Sequence, residues 1–383
     1  MTDHKRQHFV PQFYLRRFSQ DGKSINVFNI KSKRSILKAP IKGQCYRDNF
    51  YGKDRVVEKA LSQLEAEMSR VLKSVQSQGA LPKRSSHDLN TFFSYVLFQH
   101  SRTEQFIGAY ESQIEGVVKR LVNPTMEAKG YSPEELAKVR VGLKEGPRFM
   151  LKQTAMSLPL FFDLSCKLVR ITSAQEFVTS DSPVVFYNQL LSFQKTGGAG
   201  IASKGLQVFF PLDPKHLAIL YDKDVYRVGS PHSHLIEISN NDDVRELNRL
   251  QFVHALHNVY FSADAYSAVE AYYECRKYRT SMQFNSNTHL VKKTEEGRQE
   301  ILAISQYRPR TNLNLSFVRL LGPAKKWSRD FQKLRMRPLH GAVRNQQVIA
   351  EHKIFINLVE QGRYQISEFG KYLREKYQDG VLK

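Results

Sequence analysis

The spacing of apolar residues changes from helical to strand-like near residue 160, and that change limits the fold more than any other feature. Before it, Val57, Leu61, Leu64, Met68, Val71 and Val75 recur in steps of four and three, which lays one apolar stripe along a helix. After a break from Gly79 to Arg84, Asp88 opens a second helix with Leu89, Phe92, Phe93, Val96 and Leu97 as its core, running to His100, Ser101 and Arg102. A third helix is expected from Thr103 to Leu121, ended by Asn123-Pro124, because a residue before proline avoids the helical region. Ser132-Pro133-Glu134-Glu135 supplies a cap, a first-position proline and first-turn acids, with Gly142 and Gly146-Pro147 as interruptions before Met156. Short β-prone segments follow: Lys167 to Ile171, Glu176 to Val178, Val184 to Tyr187, Gln207 to Phe210, Leu217 to Tyr221 and Val225 to Val228. Helical patterns return at Ser239 to Leu256 and Asp264 to Tyr278. A sheet set among helices predicts an α+β fold: a helix-rich domain with a mixed or antiparallel sheet.

The N-terminus departs from the usual frayed end. In His8-Phe9-Val10-Pro11-Gln12-Phe13-Tyr14-Leu15-Arg16-Arg17-Phe18, Pro11 fits a first helical turn, and Tyr14, Leu15 and Phe18 share an apolar face. Asp21-Gly22 closes the segment with a turn. Ser24 to Ile30 alternates as a strand, with Arg34 to Leu37 as its hairpin partner.

This opening motif resembles that of an uncharacterised, mainly bacterial family, the domain-of-unknown-function 4238 family. Asn49-Phe50-Tyr51, Val57-Glu58 with Leu64-Glu65, Arg102-Thr103, Thr179-Ser180-Asp181-Ser182-Pro183 and Phe210-Pro211-Leu212-Asp213-Pro214 follow in the family's order. Glu104 stands where a proline tends to follow Arg102-Thr103. The resemblance spans roughly residues 4 to 290. It implies a domain and marks residues, but no reaction; antiphage defence is an expectation drawn only from the family's bacterial distribution.

The expected organisation is a main domain over 1–305 and a basic C-terminal extension over 306–383. Within the main domain, 1–54 holds the motif and a basic hairpin, 55–160 is helical, 165–230 is the sheet and 239–290 is helical again. The extension ends in a helical hairpin, Ile349 to Val359 and Ile366 to Tyr377, around Gly362.

Charge is the strongest statement about partners. Lys+Arg 58 against Asp+Glu 37 gives a net charge of +21, which favours polyanionic partners: DNA, RNA or an anionic membrane surface. Residues 308–383 hold sixteen Lys/Arg and six acids, a local net of +10. There Lys325, Lys326, Trp327, Arg329, Lys333, Arg335 and Arg337 interleave cations with the single Trp and Phe331, a pattern suited to gripping phosphates and stacking on bases. It equally fits a solvated stretch whose aromatics pack on the main domain. No segment reaches the ~18 apolar residues of a membrane span, no signal peptide is evident, and Cys45, Cys166 and Cys275 are too far apart to form a disulfide framework or a zinc spacing. A cytoplasmic protein is expected.

Phosphate-loop, nucleophile-elbow and H-E-x-x-H signatures are absent. His232-x-His234 and His254-x-x-His257 lack a paired carboxylate and read as surface or hydrogen-bonded histidines. The catalytic candidates are His8, Arg102, Asp181 and Glu58. An imidazole, an arginine and a carboxylate are the parts that bind and hydrolyse a phosphodiester, with or without Mg²⁺ or Mn²⁺. Glu58 and Glu65 lie seven apart on one side of a helix, about 10 Å along its axis, too far for one metal ion. His8 and Asp181 are expected to meet, the carboxylate raising the histidine pKa. Two readings follow: a nuclease, or a non-catalytic nucleic-acid-binding or partner-binding module in which His8 and Asp181 are struts. The nucleic-acid type and the oligomeric state are not encoded in these patterns.

Overall fold

The structure, a computed structural model, describes residues 5–84, 86–193, 199–263, 266–279, 284–294, 297–306, 311–333 and 343–377. The chain is α+β. The opening motif begins as a strand, β1 (Arg6–His8), before the short helix α1 (Gln12–Leu15) and a 3₁₀ turn over Arg16–Phe18. The hairpin of β2 (Ser24–Asn29) and β3 (Arg34–Pro40) follows as expected. β4 (Tyr46–Asp48) then returns to pair antiparallel with β1, so that His8 faces Tyr46 across the ladder.

Three long helices form the next layer. α2 (Val56–Gln78) follows its stripe, with Leu61, Met68, Val71, Leu72 and Val75 buried. α3 (His87–Ser101) is capped by the Ser86 hydroxyl, which accepts from the Leu89 N–H. α4 (Glu104–Ala128) runs through Pro124 instead of ending before it. Proline removes one N–H from the helix ladder, and it does so on an exposed stretch, with Leu121 and Val122 open to solvent, where the loss is tolerated. α5 (Pro133–Lys138) carries the full capping box at Ser132 and Glu135 but ends early, and Gly146-Pro147, expected as an interruption of it, instead opens a separate helix, α6 (Gly146–Ser157).

The central sheet has the order β11-β5-β9-β8-β7, from β5 (Ser165–Ile171), β7 (Val185–Tyr187), β8 (Gln207–Asp213), β9 (His216–Tyr221) and β11 (Leu235–Ile238). Only β11 runs parallel to its neighbour β5. A second sheet, β3-β2-β12-β6, adds β6 (Thr179–Ser180) and β12 (Asn258–Phe261) to the N-terminal hairpin. The strand expected over Glu176 to Val178 lies slightly later, as β6. β10 (Tyr226–Val228) pairs with β15 (Val318–Leu320), and β13 (Phe284–Thr294) with β14 (Gly297–Gln306). α7 (Asn241–His254), α8 (Ala268–Cys275), α9 (Gly322–Lys333), α10 (Gln346–Glu360) and α11 (Phe369–Tyr377) complete the elements.

Side chains alternate across a strand, and here both faces of the central sheet are buried. Leu168, Val208, Phe210, Ala218 and Leu220 join α2, α3 and the opening motif in one core. Val169, Phe209, Leu217 and Ile219 face α7 in another, which Leu313, Leu315, Val318 and Ala324 close from the C-terminal side. Two covered faces explain the nearly continuous apolar strands. The C-terminal helices pack as a pair through Phe355, Phe369, Tyr372 and Leu373, tied to the domain by the fork of Arg344 on Asp163 at 2.8 Å.

Candidate functional site

The scattered motifs of the resemblance converge around the opening segment. The Tyr14 hydroxyl lies 2.7 Å from Thr179 Oγ1 and donates to the Pro211 carbonyl at 2.7 Å, and its ring stacks on Phe210. Arg17 donates to the Leu212 carbonyl and pairs with Asp213 at 3.0 Å. Burial opposes ionisation of Asp213, yet its hydrogen bonds with His216 and the Lys215 N–H, together with Arg17, hold its carboxyl below the ordinary value. Gln7 accepts from the Tyr51 N–H at 2.6 Å and donates to the Gly52 carbonyl. The helix at 12–18 is therefore part of the core, with Tyr14, Leu15 and Phe18 fully buried.

Two clefts open beside the β1–β4 ladder. The histidine cleft, about 350 Å³, is lined by His8, Gln12, Arg16, Glu58, Ser62 and Glu65, among others. His8 Nε2 stands 3.3 Å from the Gln12 side-chain nitrogen, while Gln12 Oε1 accepts from Arg16 at 3.0 Å. Arg16 thus turns the Gln12 amide so that its NH₂ donates to the ring and His8 Nε2 accepts. Burial lowers the His8 pKa below its ordinary 6.5, against the pull of the Lys42 backbone and Glu58. The ring is neutral near pH 7, the reverse of the raised value expected from a carboxylate partner. Glu58 accepts from Arg55 at 3.2 Å and Gln7 at 3.4 Å.

Arg102 lies behind this cleft and is 1 % exposed. Its guanidinium donates to Glu65 Oε1 at 2.7 Å and twice to Gln99 Oε1, at 2.9 and 2.5 Å. Gln99 in turn donates to the Phe9 carbonyl at 3.0 Å. Arg102 is therefore a strut that ties α2 and α3 to the opening segment, not a surface group that grips a phosphate. A buried cation requires this pairing.

The arginine cleft, about 510 Å³, contains Asp181. Both Asp181 oxygens are occupied: Oδ1 accepts from the Leu256 N–H at 2.8 Å, and Oδ2 from the His257 and Asn258 N–H groups at 2.6 and 3.0 Å. Burial pushes this carboxyl up, against those three donors. The expected His8–Asp181 pair does not form: His8 bonds Gln12 in one cleft, and Asp181 fastens the turn between α7 and β12 in the other. The structure joins His8 and Glu58, with Arg102 behind them, and leaves Asp181 apart.

Among the described residues, no group of three His, Cys, Asp or Glu side chains is placed to hold a metal ion. Glu65, the second carboxylate of the histidine cleft, is bound to Arg102, so this donor set does not fit a resident Mg²⁺ or Mn²⁺.

On α9, Lys325, Lys326, Arg329 and Lys333 are exposed. Trp327 stacks on buried Phe331 at 4.8 Å and packs on the second core. Trp327 is held by the fold instead of standing free to stack on a base. Arg335 and Arg337 lie outside the described residues.

Sequence reading missed Gln12 and Tyr46 as cleft residues, counted Arg6 and Arg47 only within the basic hairpin region, weighed His257 only as half of a metal pair, and noted Glu104 only as a departure from the family pattern. Gln12 carried a signal in its place within the opening motif, and Arg6 and Arg47 in the density of cations over residues 1–48. No described helix is long and apolar enough to cross a membrane. No curated protein and no solved structure matches the chain. The model of the family described as "Protein of unknown function (DUF4238)" matches residues 6–265, and the chain belongs to that family.

Proposed function

We propose that this protein binds nucleic acid, chiefly through phosphates. The observation that carries the reading is the division of α9: four exposed cations, Lys325, Lys326, Arg329 and Lys333, above an inner face held down by Ala324, Trp327 and Phe331. Anchored cations on a chain of net charge +21 form a surface suited to a polyanion. Changing the four to Ala together is expected to weaken duplex binding at least tenfold and to flatten its salt dependence; unchanged affinity would overturn the assignment. The three cysteines are free thiols, in keeping with action in a reducing cytoplasm.

A second reading, phosphodiester hydrolysis in a defence setting, is favoured by one feature. His8 is held neutral with Nε2 as acceptor, in a cleft shared with Glu58, and a neutral imidazole is the form a general base requires. Gln12 occupies that lone pair, so a substrate water or hydroxyl would have to take its place. Incubation with DNA and RNA, with and without Mg²⁺ or Mn²⁺, tests it: cleavage lost in a folded His8→Ala protein supports the reading, and binding without cleavage refutes it.

A further inference from the structure

The arginine cleft has no part in either reading above, yet it is the larger of the two, and about 510 Å³ is room for a nucleotide-sized ligand. Its chemistry is unlike that of the histidine cleft. Arg6 and Arg47 stand on the paired strands β1 and β4, with the Arg6 guanidinium 4.7 Å over the Tyr46 ring. Glu104, whose side chain is 14 % exposed, is paired with Arg47 and lies 3.6 Å from His257 Nε2. Arg47 and His257, on separate elements, are thus gathered onto one carboxylate. Asp181 holds the His257 backbone in place from beneath. Farther in, the Tyr260 hydroxyl and the Asn258 amide add neutral polar groups.

We propose that this cleft binds a phosphate monoester carried on a nucleotide-sized body. Guanidinium forks match phosphate oxygens in pairs, and a dianion is the ligand that can engage Arg6 and Arg47 together. Of the carboxylates that line the cleft, Asp181 has both oxygens occupied by backbone N–H groups, while Asp48 and Glu104 oppose the anion's charge, so binding depends on the two guanidinium groups. Glu104 is a counter-ion in place before the ligand arrives. It keeps Arg47 and His257 gathered, and the phosphate competes with it for Arg47. This site is separate from the cations of α9, so it stands or falls independently of polynucleotide binding.

The test is calorimetric titration of the full chain with a 5′-mononucleotide, its nucleoside, and oligonucleotides with a 5′-phosphate or 5′-hydroxyl end. The mononucleotide is expected to bind at least tenfold tighter than the nucleoside; equal affinity overturns the proposal. A phosphate preference repeated by the oligonucleotides makes a strand end a ligand source, and its absence there leaves the free mononucleotide. The Arg6→Gln/Arg47→Gln double variant, shown folded by its thermal transition, should lose tenfold or more in mononucleotide affinity. Glu104→Gln removes the competing counter-ion and should tighten binding several-fold; weaker binding would contradict the role given to Glu104. The α9 quadruple Ala variant should bind the mononucleotide normally. Loss of polynucleotide binding there, with the mononucleotide still bound, separates the two proposals.

Discussion

Replacing Arg102 by Leu tests most sharply whether this arginine is a strut or a ligand. The guanidinium is 1 % exposed, donates to Glu65 at 2.7 Å and places two further bonds on Gln99. Removing one partner of a buried pair costs roughly 3–5 kcal/mol, because the remaining charge is stranded. Glu65 here keeps a side-chain exposure of 24 %, so water relieves part of that cost and the lower end applies. Gln99 Oε1 keeps only the Tyr95 hydroxyl, at 3.4 Å, which adds about 1 kcal/mol for weakened hydrogen bonding. The expected loss is therefore about 4 kcal/mol, read by equilibrium urea unfolding at neutral pH. The Arg102→Leu/Glu65→Leu double variant should recover part of it, because no charge is then left unpaired. A loss below about 1 kcal/mol, with nucleic-acid binding abolished in a folded protein, would refute the strut and return Arg102 to the ligand.

Four further outcomes follow from the same geometry. Leu15→Ala, at a fully buried position of the opening motif, should cost about 3 kcal/mol in urea unfolding, and no loss would mean the segment is a loose arm. His8 has a folded pKa below its ordinary 6.5, so its contribution is complete above that value and fades as pH falls through it. A His8→Gln variant should lose this part of the acid destabilisation, visible in melting temperature from pH 7 to 5. Asp213 is depressed below its ordinary 3.8, so its contribution is present above that value and disappears on further acidification; Asp213→Asn should flatten stability there, and an unaltered profile would contradict the clamp with Arg17 and His216. Asp181→Asn keeps the shape but exchanges one acceptor oxygen for an NH₂ facing backbone donors, so about 2 kcal/mol should be lost, and unchanged stability would exclude its role at the α7–β12 turn.

The elements that were legible in sequence are those whose cause is local. The stripe of α2, the apolar positions of α3 and the Ser132 capping box each depend on residues within a few positions, whereas the Ser86 cap of α3 was missed and Gly146-Pro147, expected as an interruption, opens α6. The elements missed depend on distant partners. β1 is strand only because Tyr46–Asp48 pairs with it, and β12 because it lies between β2 and β6. Pro124 was read as a stop since its steric rule is local, whereas an exposed turn tolerates the lost bond. The candidate site divides in the same way. Residue type singled out His8, Glu58, Arg102 and Asp181, but the groupings arise across long separations. Arg102 finds Glu65 thirty-seven positions away, and Asp181 finds the turn at 256–258. No spacing within one element encodes such contacts.

The central claim, binding to nucleic acid through phosphates, is tested most directly by the salt dependence of affinity for a labelled DNA duplex, measured by fluorescence anisotropy. If the four α9 cations each neutralise a phosphate, log K should fall against log salt with a slope of roughly −3.6, from about −0.9 per contact. A slope of that size or steeper in the native protein, shallower after Lys325, Lys326, Arg329 and Lys333 are changed to Ala, is the predicted result. An affinity that does not respond to salt would contradict it.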